Sequence, residues 1–115
     1  MSHVDFVKSE GHFLKINGWA FIKNTNSEDA TTYVVFKSNK KTLIAETMPV
    51  YRPDVAEVYK PLNMNNSGFL TIILNNHFDL RDEYRIGIYI RKGNKEALSY
   101  TDKVLHGNPV ASPFR

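Results

Sequence analysis

Aromatic and basic residues alternate with apolar residues in three segments that have the pattern of β-strands. The segments are Thr31 to Ser38, Tyr84 to Arg91 and Ala97 to Val104. Successive side chains of a strand point to opposite faces, so residues between the apolar core positions lie on the outer face. The outer-face candidates are Tyr33, Lys37, Arg85, Tyr89, Arg91 and Lys103. Tyrosine rings stack on sugars or bury at protein interfaces, and Arg and Lys bind carboxylates or phosphates. The set predicts a ligand-binding surface, with an ordinary solvated face as the alternative.

Three carboxylates lie close together at Asp79, Asp82 and Glu83. Paired acids hydrolyse glycosides only where they flank a cleft at a defined separation, whereas a polar turn uses the same residues for solubility. We interpret this cluster as a turn. The sequence also has no Gly-x-Ser-x-Gly, no Gly-x-Gly-x-x-Gly and no P-loop, so nucleophile and phosphate-cradle chemistries have no support. We therefore expect a protein that is not an enzyme.

Metal and nucleic-acid binding also lack a sequence signal. His3, His12, His77 and His106 are far apart, and there is no cysteine, so no zinc-site spacing occurs and no cofactor is expected. The net charge of +3 comes from 15 Lys and Arg against 12 Asp and Glu. These basic residues are spread along the chain without the clustered stripe of a nucleic-acid footprint, so no nucleic-acid partner is expected.

One segment, around Arg52 and Pro53, has the pattern of a short helix. Pro53 suits a first helical position, because its φ is fixed and it lacks an N–H that would be unpaired there. Asp54 and Glu57 place negative charge near the positive end of the helix dipole. We expect this turn to lie against a sheet through Val55 and Tyr59 and to carry the chain between the two halves of the fold. Arg52 and Asp54 are assigned a structural role, with ligand contact as the alternative.

The composition is that of a folded globular domain. The chain has 115 residues, of which 42% are hydrophobic and 23% are charged. We expect one domain over residues 1–106 and a flexible tail or linker over 107–115, which contains two prolines. No apolar run approaches the roughly 20 residues of a membrane span, and the start lacks the pattern of an export signal. We therefore expect neither membrane insertion nor export from this chain, while its compartment, bacterial cytoplasm or envelope, stays open.

About seven short strands with one helical turn near residues 53–59 predict an all-β fold, an immunoglobulin-like antiparallel β-sandwich. A barrel is the alternative. The first strand is expected over Val4 to Lys8, and a long second strand, over His12 to Lys23, is covered on both faces near its end. Three further predictions concern later strands. Lys41 to Met48 ends at Pro49, Phe69 to Leu74 is fully buried, and Tyr84, Ile86, Ile88 and Ile90 form the core face of their strand.

An ordered set of short motifs resembles a known kind of module. The motifs are Gly18-Trp19-Ala20-Phe21, Arg52-Pro53-Asp54-Val55, Ser67-Gly68-Phe69 and Leu80 followed by Tyr84-Arg85-Ile86-Gly87-Ile88. Together they resemble small β-sandwich accessory modules of bacterial cell-envelope polysaccharide proteins, including glycosyltransferases and multi-spanning membrane proteins. The similarity extends over residues 11–104, and the motifs are mainly structural in character, so Trp19 and Gly68 join Arg52 and Asp54 as structural residues.

The resemblance implies a non-catalytic role in contacting a glycan or a partner. Two functions are therefore expected. The first is an accessory module that binds carbohydrate or an anionic envelope polymer through the tyrosine and arginine residues. The alternative is a protein interaction or oligomerisation module that buries the same face or an exposed edge strand.

Overall fold

The computed structural model describes residues 2–22, 25, 28–58, 67–78 and 81–106. These residues form eight β-strands, one α-helix and a 3-10 turn over Asn75–His77. The strands are β1 (Ser2–Glu10), β2 (Phe13–Ala20), β3 (Thr31–Lys37), β4 (Thr42–Glu46), β5 (Met48–Val50), β6 (Gly68–Leu74), β7 (Glu83–Lys92) and β8 (Lys95–His106). The helix, α1, is Pro53–Val58. The predicted tail at 107–115 and the predicted helical contact of Tyr59 lie outside the described residues.

The strands form two antiparallel sheets that pack face to face. The first sheet has the order β1-β2-β6-β5 and the second has the order β4-β3-β7-β8. These orders match the A-B-E-D sheet and the C′-C-F-G sheet of immunoglobulin-like sandwiches. The predicted fold class is confirmed.

Alternation along the central strands builds the core between the sheets. Leu14 and Ile16 of β2 and Ile86 and Ile88 of β7 are almost completely buried. Tyr84 and Ile90 are buried with them, so the predicted core face of β7 is confirmed. Since every second residue of these strands enters the core, the intervening side chains form the outer faces of the sandwich.

The helix α1 lies against the outer face of the first sheet at the end of β2. Val55 packs on Phe21, and both are less than 5% exposed. The Trp19 ring stacks on Phe21 with centroids 5.6 Å apart. The end of the second strand is therefore covered on both faces, as predicted. The helix lies between β5 and β6, which are paired neighbours in the first sheet. The prediction that it carries the chain between the two halves is therefore wrong, because the chain leaves and re-enters the same sheet.

Pro49 lies within a strand and does not end one. The strand β4 stops at Glu46, and Met48–Val50 forms β5 in the opposite sheet, where Pro49 pairs with Phe69. Proline is tolerated there because β5 is an edge strand and one side of it needs no ladder hydrogen bonds. The predicted single strand over Lys41 to Met48 is wrong, since the chain changes sheets at Thr47.

The strand β6 is only half buried. Phe69 and Thr71 face the core, whereas Ile72 and Leu74 are 48% and 42% exposed. The predicted full burial of this run is wrong, because its outward residues have no covering layer among the described residues. Register places Leu74 beside Phe13, which is also partly exposed, and Ile72 beside Lys15. We call the outward set Phe13, Ile72 and Leu74 the apolar face.

Candidate functional site

The outer face of the second sheet brings five of the six predicted ligand-binding residues together. In the pairing of β3 with β7, Tyr33 lies opposite Tyr89 and Lys37 opposite Arg85, while Arg91 pairs with Thr31. These residues alternate with Val34, Phe36, Ile86, Ile88 and Ile90, all of which are buried in the core. The alternation therefore fixes the outward direction of the five candidates, and the antiparallel register makes them neighbours.

A residue that was not predicted, Tyr100, lies at the centre of this face. It pairs with Gly87, and a Cβ added to Gly87 would lie 2.9 Å from the Tyr100 ring. Because Gly87 has no side chain, the Tyr100 ring can lie directly on the sheet at this position. The guanidinium of Arg85 is 4.6 Å from the Tyr100 centroid, and the ammonium of Lys37 is 6.0 Å from it. Both distances are within the range of cation–π attraction. We call Tyr33, Lys37, Arg85, Tyr89, Arg91 and Tyr100 the tyrosine-arginine face.

Lys103 lies apart from the other predicted residues because it shares the parity of Leu105, which pairs with Tyr84 on the core side of the sheet. The register of β7 with β8 shifts between Arg85 and Gly87, which pair with Val104 and Tyr100. The hydroxyl of Thr101 donates to the carbonyl of Ile86 at 2.9 Å and accepts from the Lys103 backbone N–H at 3.1 Å. Lys103 consequently borders a depression beside β1 with Ser2 and His3, away from Lys37 and Arg85. Tyr100 and Val104 both oppose outward residues of β7, so the shift leaves the alternation of β8 unchanged and Lys103 stays on the other side.

The two predicted tyrosines form an aromatic pair. Their ring centroids are 5.8 Å apart with an angle of 32° between the planes. The Tyr89 hydroxyl donates to a carboxylate oxygen of Glu96 at 2.5 Å. This hydrogen bond raises the pKa of Tyr89, because ionised tyrosine would lose its donor beside a negative charge. The pair therefore offers ring surface with one hydroxyl already oriented.

The cations of the tyrosine-arginine face have carboxylates nearby but form no ion pair with them in the described residues. Glu96 is the cross-strand partner of Arg91, and Glu83 borders the same depression as Lys37 and Arg85. Among the residues that the structure describes, no ion pair joins Lys37, Arg85 or Arg91 to an Asp or Glu. Cations that lack a protein partner keep their donors for water or a ligand. The face can therefore bind an anion without first breaking an internal salt bridge.

Arg52, unlike the cations of the tyrosine-arginine face, is bound to carboxylates of the protein. These contacts fit the structural role that the sequence indicated. Its guanidinium binds Asp54 through two hydrogen bonds, of 2.9 and 2.7 Å, and Asp5 on β1 through a third, of 2.6 Å. The bond with Arg52 lowers the pKa of Asp54 to about 2 and raises the pKa of Arg52. The side chain lies over Gly68, where an added Cβ would clash with Arg52 Cγ and lie 2.6 Å from the Val50 carbonyl oxygen. Arg52 thus ties α1 to β1 across the first sheet.

The carboxylate cluster gives no convergent site in the described residues. Asp82 pairs with Lys40 at 3.7 Å and Glu83 with His106 at 3.8 Å, while Asp79 lies outside the described residues. Within the described ranges, no three His, Asp or Glu side chains are grouped closely enough to hold a metal ion. No helix in the same ranges has the length and apolar character that crossing a membrane requires.

Comparisons with known proteins found no matching family model, no matching curated protein and no matching solved structure.

Proposed function

We propose that this domain is a non-catalytic module that binds acidic carbohydrate polymer through the tyrosine-arginine face. The observation that carries the proposal is the arrangement around Tyr100, whose ring is bordered by two cations and lies next to the Tyr33–Tyr89 pair. Ring faces stack on sugar rings, and guanidinium groups bind carboxylates or phosphates with two donors. The sequence resemblance to accessory modules of envelope polysaccharide proteins agrees with this class of ligand.

The test is a chemical-shift titration of the isotope-labelled domain with three probes. Galacturonate oligomers carry acid groups on sugar rings, glycerol phosphate oligomers carry acid groups without rings, and cellohexaose is neutral. We expect galacturonate to shift the amides around Tyr33, Arg85 and Tyr89. The other two probes should cause smaller shifts, because glycerol phosphate lacks the sugar ring and cellohexaose lacks the acid group. Shifts spread over the first sheet, or none with any probe, would overturn the proposal.

The matching variant changes Arg85→Ala and Tyr89→Ala together. We expect this variant to lose galacturonate binding and to keep the melting temperature of the wild type within a few degrees, because both side chains are outside the core. The control is Lys8→Ala, which removes an exposed cation from the opposite sheet. Unchanged affinity in the double variant, or an equal loss in the control, would show that this face is not the binding site.

The apolar face favours a second candidate function, self-association of the domain. Phe13 and Leu74 form a cross-strand pair and are 48% and 42% exposed, while Ile72 extends the same surface along β6. Contiguous exposed apolar side chains are typical of protein interfaces. Sedimentation equilibrium should then show a dimer that Leu74→Glu dissociates and that Ile44→Glu, on the other sheet, leaves intact. A wild-type monomer at high concentration would exclude this candidate.

A further inference from the structure

The strand β4 lies at one edge of the second sheet and is paired on one side only. It pairs with β3 over its whole length, from Thr42 opposite Lys37 to Glu46 opposite Tyr33, and no register shift interrupts this ladder. Its other side has no paired strand among the described residues. Thr42, Ile44 and Glu46 are all exposed, and Ile44 is 65% exposed. The strand therefore presents an open edge to solvent.

The other three sheet edges each carry a feature that hinders pairing with a further strand. The first sheet ends at β1, which has a register shift between Val4 and Phe6, and at β5, which contains Pro49. The second sheet ends on its other side at β8, which has a register shift and carries Lys95 and Lys103. Bulges, prolines and lysines are the features by which proteins prevent association between sheet edges. The strand β4 has none of them, so it is the edge best suited to a further strand.

The direction of the backbone groups in β4 follows from the hairpin that joins it to β3. The Ser38 N–H donates to the Lys41 carbonyl at 2.9 Å, so these residues form a hydrogen-bonded pair at the end of the ladder. Hydrogen-bonded and non-hydrogen-bonded pairs alternate along an antiparallel ladder. Every second residue of β4 from Thr42 onward therefore points its N–H and C=O groups away from β3. The Glu46 carbonyl agrees, because it accepts a hydrogen bond from the Thr71 hydroxyl of the first sheet at 2.6 Å.

We infer that β4 pairs antiparallel with β4 of a second copy of this chain about a two-fold axis through Ile44, so that two four-stranded sheets join into one of eight strands. The strand reads polar, apolar, apolar, apolar, polar from either end, as a contact of one surface with itself requires. Ile44 then lies opposite the partner's Ile44, and Thr42 lies opposite the partner's Glu46. These residues point their N–H and C=O groups toward the partner, so they form hydrogen-bonded pairs.

The side chains on both faces of β4 are compatible with this register. On the outer face, the two Ile44 side chains contact each other, and the Thr42 hydroxyl donates to the partner's Glu46 carboxylate. On the core face, Leu43 lies beside the smaller Ala45 of the partner subunit. A register centred on Glu46 would instead place two carboxylates directly opposite each other, which is unfavourable.

The pairing places two tyrosine-arginine faces on the same side of the joined sheet. Neighbouring strands are about 4.8 Å apart, so the β3 strands of the two copies are separated by three such spacings, or roughly 14 Å. A polymer that crosses the strands would contact both faces, and the second contact would raise its affinity by avidity. This consequence rests on the proposed function, whereas the pairing itself does not.

Sedimentation equilibrium tests the pairing without any ligand. One short strand from each copy makes a small contact, so we expect a weak dimer with a dissociation constant on the order of 100 μM. Ile44→Glu opposes two carboxylates at the centre and should leave the domain monomeric at the same concentrations, with the wild-type melting temperature because this side chain is exposed. Leu74→Glu on the first sheet should leave the dimer intact.

Two results of this experiment would overturn the inference. The first is a wild-type domain that stays monomeric at millimolar concentration. The second is a dimer that Leu74→Glu dissociates and Ile44→Glu does not, which would assign the contact to the apolar face. Galacturonate binding by a monomeric domain would overturn the pairing alone, whereas a dimer of the expected kind that binds no galacturonate would overturn only the proposed function.

Two substitutions at Thr42 test the register. Thr42→Lys places an ammonium opposite the partner's Glu46 at both ends of the contact and should strengthen the dimer roughly fivefold, whereas Thr42→Glu opposes like charges and should weaken it by a similar factor. General charge repulsion predicts the opposite order, because the chain already has a net charge of +3 and lysine increases it. Equal effects of the two variants, or a stronger dimer with Thr42→Glu, would overturn the pairing centred on Ile44.

Amide hydrogen exchange locates the contact along β4. The Ile44 N–H points away from β3, so its protection should increase as the domain dimerises with rising concentration. The Leu43 N–H is the control, since it is already bonded to β3 in the monomer and its protection should change less. An Ile44 amide that exchanges equally fast in monomer and dimer would place the contact elsewhere and overturn the inference.

Discussion

The outer faces of the two sheets each carry a large side chain over a glycine, but the cations beside them have different partners. On the first sheet Arg52 lies over Gly68 and binds the carboxylates of Asp5 and Asp54. On the second sheet Tyr100 lies over Gly87, and the nearby Arg85 contacts its ring without an ion pair among the described residues. Arginine thus has a structural role on the first sheet, whereas on the second sheet its N–H donors are available to a ligand.

The lysines show the same difference between the two faces. Lys8 and Lys15 of the first sheet both pair with Glu10, at 3.2 and 3.6 Å. The hydrogen bond from Lys8 is the largest cause of the lowered pKa of Glu10. Lys37, on the second sheet, lies 6.0 Å from the Tyr100 ring and has no ion pair among the described residues. The presence of lysine and arginine therefore does not by itself identify a binding surface in this protein. The distinguishing property is the set of partners that each cation already has.

The largest effects should come from the two glycines. Gly68→Ala places a Cβ against Arg52 and 2.6 Å from the Val50 carbonyl oxygen, and backbone cannot easily move, so we expect a loss of about 1–3 kcal/mol in the free energy of unfolding. A Cβ at Gly87 would lie 2.9 Å from the Tyr100 ring, which can rotate away, and 3.4 Å from the Ser99 carbonyl oxygen, which is a much looser backbone contact than the one at Gly68. The second variant should lose less stability but should lose ligand binding with the displaced ring. Urea unfolding of both variants measures the difference, and equal losses of stability would contradict it.

Arg52→Met and Arg85→Met compare the two arginines directly. Removing Arg52 deprives Asp5 and Asp54 of their partner, so we expect a loss of about 1–2 kcal/mol in the free energy of unfolding. Removing Arg85 breaks no ion pair, so its stability should change by less than about 0.5 kcal/mol. Thermal and urea unfolding check both values. An Arg85 variant as unstable as the Arg52 variant would mean that the cation of the second sheet is also structural.

The sequence predicted the parts of this comparison that depend on local pattern. The alternation of Ile86, Ile88 and Ile90 with Arg85, Tyr89 and Arg91 identified both faces of β7, and Pro53 identified the start of the helix. Gly93 and Asn94 tolerate the positive φ of a two-residue hairpin loop, and they join β7 to β8, with Gly93 at a φ of 60°. Each of these features is determined within a few residues, so a single sequence contains the necessary information.

The parts that the sequence did not predict depend on contacts between distant residues. Tyr100 faces outward because the hairpin register that starts at Lys92 and Lys95 continues unbroken to the pair of Gly87 with Tyr100. The alternation within Ala97 to Val104 does not by itself show which of its two faces is the outer one. Asp5 and Arg52 are 47 residues apart, so their contact requires the topology. Pro49 indicated the end of a strand because its place at a sheet edge is not visible in neighbouring residues.

Acid titration should give the smallest effect, and we expect it at Asp54, beside the first sheet. The pKa of Asp54 is about 2 in the folded protein, lowered from 3.8 by its hydrogen bonds with Arg52. A carboxyl with a lowered folded pKa contributes stability that is present above its unfolded pKa and is lost as the pH falls toward the folded value. The melting temperature of the wild type should therefore fall between pH 4 and pH 2 more steeply than that of Asp54→Asn, which has no charge to lose. If Asp54→Asn kept the full wild-type slope, the ion pair with Arg52 would not be what distinguishes the two faces.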